Sequence, residues 1–226
     1  SFKAAEIDYV ELGGVERNPK ITLSRKAARL CIDEGVEMIL AVGGGSVLDS
    51  AKSAAAGAAN NCDPWEFSSG ARVLTKSLPV GAVLTISAAG SEMSNSCVIT
   101  NEDGWLKRGF GSDLNRPIFA IMNPELTYTV SKWQTGCGIT DIMAHLYERY
   151  LTSTTDVEVT DRLIEALMLT MINEGPKVIA DANDYQARAN IMWAGMVAHN
   201  NICGVGRAQD WNSHGLEHEL SGLYDV

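Results

Sequence analysis

Two short patterns in this chain could do chemistry together. Asp141 and His145 are four residues apart, and so are His214 and His218. On a helix, residues at that spacing share one face. The chain has 4 histidines, and three of them fall in these two patterns. Carboxylates and neutral imidazoles together suit a divalent ion of the zinc or iron type. Read from spacing alone, the two pairs are four candidate ligands for one ion. A histidine on a helix is also commonly a partner for some other buried group, so each pair taken singly is weak. His199 has no such companion; it lies near the expected end of a helix and reads as structural.

Metal ligands need a scaffold, and the second half of the chain reads as one. From about residue 132 onward the pattern is helical. Residues 138–150, 157–169 and 187–200 carry apolar side chains at helical spacing. The Asp141/His145 pair falls in the first of these helices and the His214/His218 pair in the last. No strand is expected there.

The first half alternates strand-like and helix-like segments. Strands are expected at 7–12, 38–42, 80–86, 97–100 and 118–122, and helices at 23–34 and 47–59. The apolar run 38–42 reads as a parallel strand buried on both faces. It leads into Gly43-Gly44-Gly45-Ser46 and Asp49, where a helix begins. Glycines let the backbone approach a ligand, and a helix N-terminus presents unpaired N–H groups that suit phosphate. The pattern is neither GxGxxG nor a Walker A loop. The alternative is a turn selected for tight strand–helix packing. Thr85-Ile-Ser-Ala-Ala-Gly-Ser-Glu92 follows a second apolar strand, where open α/β sheets bind ligands, although small polar residues also simply make turns. Lys107 follows a hairpin turn at 101–104 and reads as a surface lysine. The segment 60–70 is a loop. These alternations define an α/β class protein, with a boundary near 123–132.

Composition excludes several functions. The chain has 226 residues and a formal net charge of −10, which argues against nucleic acid as a partner. No apolar run is long enough to span a bilayer. Ser1 opens no signal-peptide pattern. The 5 cysteines are scattered and form no CxxC pair. They read as free thiols, which implies a cytoplasmic location. The 5 tryptophans do not cluster and read as core or rim residues.

The ordered motifs together resemble the iron-containing, metal-dependent alcohol dehydrogenase family, in its butanol dehydrogenase and aldehyde reductase branch. The likeness runs through Gly-Val-Glu-Arg-Asn-Pro19, Ala-Val-Gly-Gly-Gly-Ser-Val-Leu-Asp49 and Gly-Ser-Glu-Met93. It continues through Asn-Pro-Glu-Leu-Thr-Tyr-Thr129, Gly-Ile-Thr-Asp-Ile-Met-Ala-His145 and Asp-Trp-Asn-Ser-His-Gly-Leu-Glu-His-Glu-Leu-Ser-Gly-Leu-Tyr-Asp225.

The resemblance implies a Rossmann-like nucleotide-binding α/β domain over residues 1–127. An all-helical metal-binding domain would follow over 128–226, in a dehydroquinate synthase-like architecture. It implies NAD or NADP and a divalent metal, iron or zinc, as cofactors. It implies a small alcohol or aldehyde as substrate, and a homodimer or larger assembly. By position, Gly44, Gly45, Ser46, Asp49, Thr85, Ser94 and Lys107 would bind the cofactor. Asp141, His145 and His214 would hold the metal. His218 would carry a proton near the substrate.

The chain departs from the family pattern at two positions, with Ala89 where a threonine is usual and Asn123 where an aspartate is usual. A fourth ligand, a histidine, is expected about fourteen residues after His214, beyond Val226. A further strand–helix unit is expected before Ser1, so the chain reads as an internal fragment. Two alternatives stay open: a glycerol dehydrogenase or dehydroquinate synthase relative of the same fold, and a non-catalytic metal- or nucleotide-binding fragment.

Overall fold

The computed structural model describes residues 2–225. Helix α1 (Ile21–Asp33) precedes strand β1 (Ile39–Gly43), helix α2 (Gly45–Asn60) and the single turn α3 (Trp65–Ser68). Strands β2 (Val80–Leu84), β3 (Ser96–Asn101), β4 (Leu106–Gly111) and β5 (Phe119–Ile121) follow. Four helices then complete the order: α4 (Lys132–Tyr150), α5 (Glu158–Ala180), α6 (Tyr185–His199) and α7 (Asn212–Tyr224). This is an α/β protein. No helix among the described residues is long and apolar enough to cross a membrane.

Strands β1, β2 and β5 form a parallel sheet in that order, with Gly43 beside Leu84 and Gly81 beside Phe119. Helix α2 lies on one face, where Leu48, Ala51 and Ala55 pack against Ala41, Val80 and Ala82. Its alanines let α2 sit close to the sheet. The expectation that β1 is buried on both faces fails at Val42, which is 58% exposed. Val42 points away from α2, and no described helix covers that side.

Two other expectations are revised. Residues 7–12 form no strand; Ile7, Tyr9 and Val10 are exposed, and their backbone finds no ladder to join. The strand expected at 97–100 is present as β3, and it pairs antiparallel with β4 across the hairpin turn expected at 101–104. Gly104 and Trp105 take positive φ (83° and 52°) to close that hairpin. Helix α5 runs eleven residues past the expected end, through Pro176. Its last turns persist because Met171 and Val178 are buried in the helical core with Ile142, Leu146, Ile164 and Ile191.

Local sequence explains the helix starts that matter for the site. Ser131 caps α4 by accepting the Gln134 N–H at 3.1 Å, and Asp184 caps α6 by accepting the Ala187 N–H at 2.9 Å. Asn123 accepts the Glu125 N–H at 3.1 Å, a bond an aspartate there would also make. Helix α7 has no side-chain cap of its own. It packs against β4, where Gly222 is required: a Cβ there would lie 2.6 Å from the Trp105 carbonyl. Ion pairs Lys107–Glu217 (2.8 Å), Arg108–Glu219 (2.7 Å) and Lys20–Asp225 tie it to the α/β side.

Candidate metal centre and nucleotide crevice

Helix α4 presents Asp141 and His145 one turn apart, and the first turn of α7 brings His214 to them. One donor atom from each of the three lies within 4.8 Å of the others. His214 Nε2 is 3.5 Å from Asp141 Oδ1. His145 is buried, and its Nδ1 has no hydrogen-bond partner. Burial, with the neighbouring His199, drives its pKa well below the ordinary imidazole range, so the ring is neutral with a free lone pair. Burial raises Asp141, but His214 and His145 outweigh it and hold the carboxyl below its usual value. A buried neutral imidazole, a second imidazole and a carboxylate, with one donor atom of each gathered together, fit a divalent ion of the iron or zinc type.

The fourth candidate of the simple spacing argument behaves differently. His218 lies outside this group, its ring 6.5 Å from that of His214 and nearly perpendicular to it. Burial and then Lys107 hold its pKa below normal, so it is neutral at pH 7 and able to accept a proton. The fourth ligand expected beyond Val226 lies outside the described residues. Asp141 and His214 open onto a cavity of about 650 Å³ whose walls include Trp133, Cys137, Ala144 and Glu217. That volume suits a small-molecule ligand.

Sequence reasoning missed Glu148. Its carboxylate is buried and hydrogen-bonds His214 Nδ1, fixing the ring so that Nε2 faces Asp141. The same group accepts the backbone N–H of Ser213 (2.6 Å) and His214 (3.1 Å). One residue of α4 therefore caps α7 and aims its histidine. Burial lowers the His214 pKa, but Asp141 and Glu148 together raise it above normal. The available signal was position: Glu148 falls on the same α4 stripe as Asp141 and His145. Glu148→Gln is expected to weaken metal binding about 10- to 100-fold, read by competition with a chromophoric chelator. Unchanged affinity would show that the negative charge is dispensable.

Trp211 and His199 were also read as merely structural, yet both touch the cluster. His145 stacks on His199 at 4.1 Å and on His214 at 4.7 Å. Trp211 meets His145, His199 and His214 edge-on at 6.1, 5.6 and 5.4 Å. The Arg149 guanidinium lies 4.4 Å over the Trp211 ring.

The expected cofactor residues fall into three groups. Gly44, Gly45, Ser46 and Thr85 gather at the carboxyl ends of β1 and β2, the crevice where parallel sheets take ligands. A Cβ on Gly44 would lie 2.4 Å from Ile86, and one on Gly43 2.5 Å from Val47. Tight packing is therefore one reason for the glycines, while the α2 N-terminus keeps N–H groups without a side-chain cap. Ala89 lies 3.1 Å from where a Gly45 Cβ would be, at the rim of this crevice.

Asp49 and Ser94 instead join a buried network. Asp49 accepts from Ser91 Oγ at 2.6 Å and Val98 N at 2.9 Å. Ser94 is 1% exposed and sits against Lys52. Lys107, read from sequence as a surface residue, has only 11% of its side chain exposed and donates to Glu217, Ser221 and Asn18.

Glu92 is buried beside this network, and burial pushes its carboxyl up to about 7. A raised carboxyl favours the folded state while protonated. Its contribution is full below about pH 4.5 and is lost as pH rises through about 7. Relative to Glu92→Gln, the wild-type chain should lose on the order of 3 kcal/mol across that window, measured by urea unfolding at several pH values. A flat difference would place the carboxylate in water.

The molecule combines an α/β layer that has a crevice at its strand ends with a carboxylate–imidazole cluster on helices. The chain belongs to the iron-containing alcohol dehydrogenase family: residues 1–124 match "iron-containing alcohol dehydrogenase", and residues 135–226 match the family's C-terminal part. It is 41% identical to NADH-dependent butanol dehydrogenase A of Clostridium acetobutylicum, covering 100% of this chain and 58% of that protein. It is 39% identical to the NADPH-dependent aldehyde reductase YqhD of Escherichia coli, over 97% of this chain and 58% of that protein. The crystal structure of NADH-dependent butanol dehydrogenase A from Thermotoga maritima superposes with a TM-score of 0.97 at 38% identity. That likeness covers 100% of this chain and 56% of that one. The chain thus spans a little over half the length of these relatives.

Proposed function

We propose that this chain is the nucleotide- and metal-binding portion of an alcohol dehydrogenase or aldehyde reductase. The reaction is reversible hydride transfer between NADH or NADPH and a small aldehyde or ketone, in the cytoplasm. The observation that carries this reading is the convergence of Asp141, His145 and His214 beside an open cavity. The division into an α/β domain over 1–127 and a helical domain over 128–226, in a dehydroquinate synthase-like arrangement, belongs to the same proposal.

Asp141, His145 and His214 would hold the metal, which when bound acts as a Lewis acid on the carbonyl oxygen. The crevice lined by Gly44, Gly45, Ser46 and Thr85 takes the cofactor's phosphates on the α2 N-terminus. Lys107, held by Glu217, Ser221 and Asn18 where β4 meets α7, would bring its positive charge to the cofactor. Asp49 and Ser94 brace the crevice from beneath. Neutral His218, beside Glu217 and Lys107, takes the alcohol proton in the oxidative direction and returns it in the reductive one.

NADH and NADPH oxidation with butanal, after loading with iron(II) or zinc(II), tests the reading. Aldehyde-dependent oxidation that disappears on chelation supports it. Metal uptake with no oxidation of either cofactor across a panel of aldehydes would overturn it, in favour of a binding module.

A further inference from the structure

We infer that His199 is a positioning residue: its ring forms the wall that fixes the plane of the metal-binding His145. This rests on the reading of Asp141, His145 and His214 as a metal site.

His145 sits between two rings. His214 is on one side at 4.7 Å with a 20° tilt, and His199 on the other at 4.1 Å with a 28° tilt. The first is itself a candidate ligand, so only His199 is available as a purely structural wall. A side chain that serves as a wall must be held, and His199 is held from two directions. Arg149 Nη2 is 3.3 Å from its Nδ1, and because a guanidinium only donates, that nitrogen is the acceptor and the ring is neutral. Arg149 is anchored in turn by donating to the His145 carbonyl at 2.8 Å.

On the far side Gly90 closes in. A Cβ there would stand 2.7 Å from the His199 Cβ and 3.2 Å from the Gly195 carbonyl. Gly90 follows β2, in the loop that rims the nucleotide crevice. Trp211 meets all three stacked rings by its edge, which fills the remaining side. The consequence is a continuous packed line from the crevice loop, through His199, to a metal ligand. Groups that orient a metal-bound imidazole typically change metal affinity by about 10- to 100-fold when removed.

Cobalt(II) is the probe, because its visible bands report ligand geometry and it accepts the same donor set. The full chain would be titrated with cobalt(II) as wild type, His199→Ala, His199→Phe and Gly90→Ala. His199→Ala should bind about 10-fold or more weakly, with a shifted visible band. His199→Phe, which keeps a flat ring and no nitrogen, should restore the band and most of the affinity. Gly90→Ala should shift the band as His199→Ala does, although no group near the metal has changed chemically. It also serves if His199→Ala fails to fold. A wild-type band in either alanine variant overturns the inference. A phenylalanine variant as weak as the alanine one also overturns it, because a nitrogen and not a wall would then be needed. Failure of the wild-type chain to bind cobalt(II) would instead overturn the metal-site reading beneath it.

Discussion

The His214→Ala protein should emerge from purification without its metal, while His218→Ala keeps it. Both should lose aldehyde reduction, for different reasons. His214 is one of three converging donors, and its ring is already oriented by Glu148. Removing it leaves Asp141 and His145 as the donors of this group among the described residues, and each lost donor weakens the hold on the ion. His218 stands 6.5 Å from His214 and contributes no donor to the group, so its loss should spare metal content. Turnover should then fall by about 10²- to 10⁴-fold, the usual contribution of a positioned proton carrier. Elemental analysis beside steady-state kinetics separates the two roles. Equal metal loss in both variants would place His218 among the ligands.

Lys52→Met should be the most destabilising single change in the α/β half. Lys52 is 0% exposed, and its ammonium donates to the carbonyls of Ser94 (3.1 Å) and Ser96 (2.8 Å). Burial lowers its pKa, while Asp49, one helical turn away in α2, raises it. Methionine fills the space but leaves two buried carbonyls unpaired and the Asp49 carboxylate without its nearby cation. Breaking a buried charged arrangement in this way costs about 3–5 kcal/mol. Urea unfolding measures it. Adding Asp49→Asn should recover part of the loss, giving a coupling that a double-mutant cycle resolves. A cost below about 1 kcal/mol would mean that water reaches the ammonium.

Much of the site was legible because helical spacing is a local property. Asp141 and His145 share a face on any helix, so their pairing needed no tertiary information. The glycine turn after β1 was legible for the same reason. What escaped depends on which helices meet. Glu148 matters only because α7 begins beside α4 without a cap of its own. His199 matters only because α6 ends where Gly90 leaves room for it. Trp211 precedes His214 in sequence, but only the fold brings His145 and His199 to its edge.

The strand expected at 7–12 failed for the same reason. Apolar alternation at 7–12 carries no information about whether a partner strand exists. The strand at 97–100 was legible together with its return, because the turn residues at 101–104 mark the hairpin locally. Lys107 shows the limit of composition: a lysine after a turn is ordinarily solvated, and only the arrival of α7 encloses it.

Helix α7 is fastened at both ends to different parts of the molecule. Glu148 grips its first turn from α4, and Lys107, Arg108 and Lys20 grip its later turns from the hairpin and the segment before α1. An ion bound at His214 therefore favours the seated helix over any released one. By linkage, a seated helix must favour the ion by the same factor. Salt that weakens the exposed pairs at one end of α7 would thus be felt as a looser grip on metal at the other.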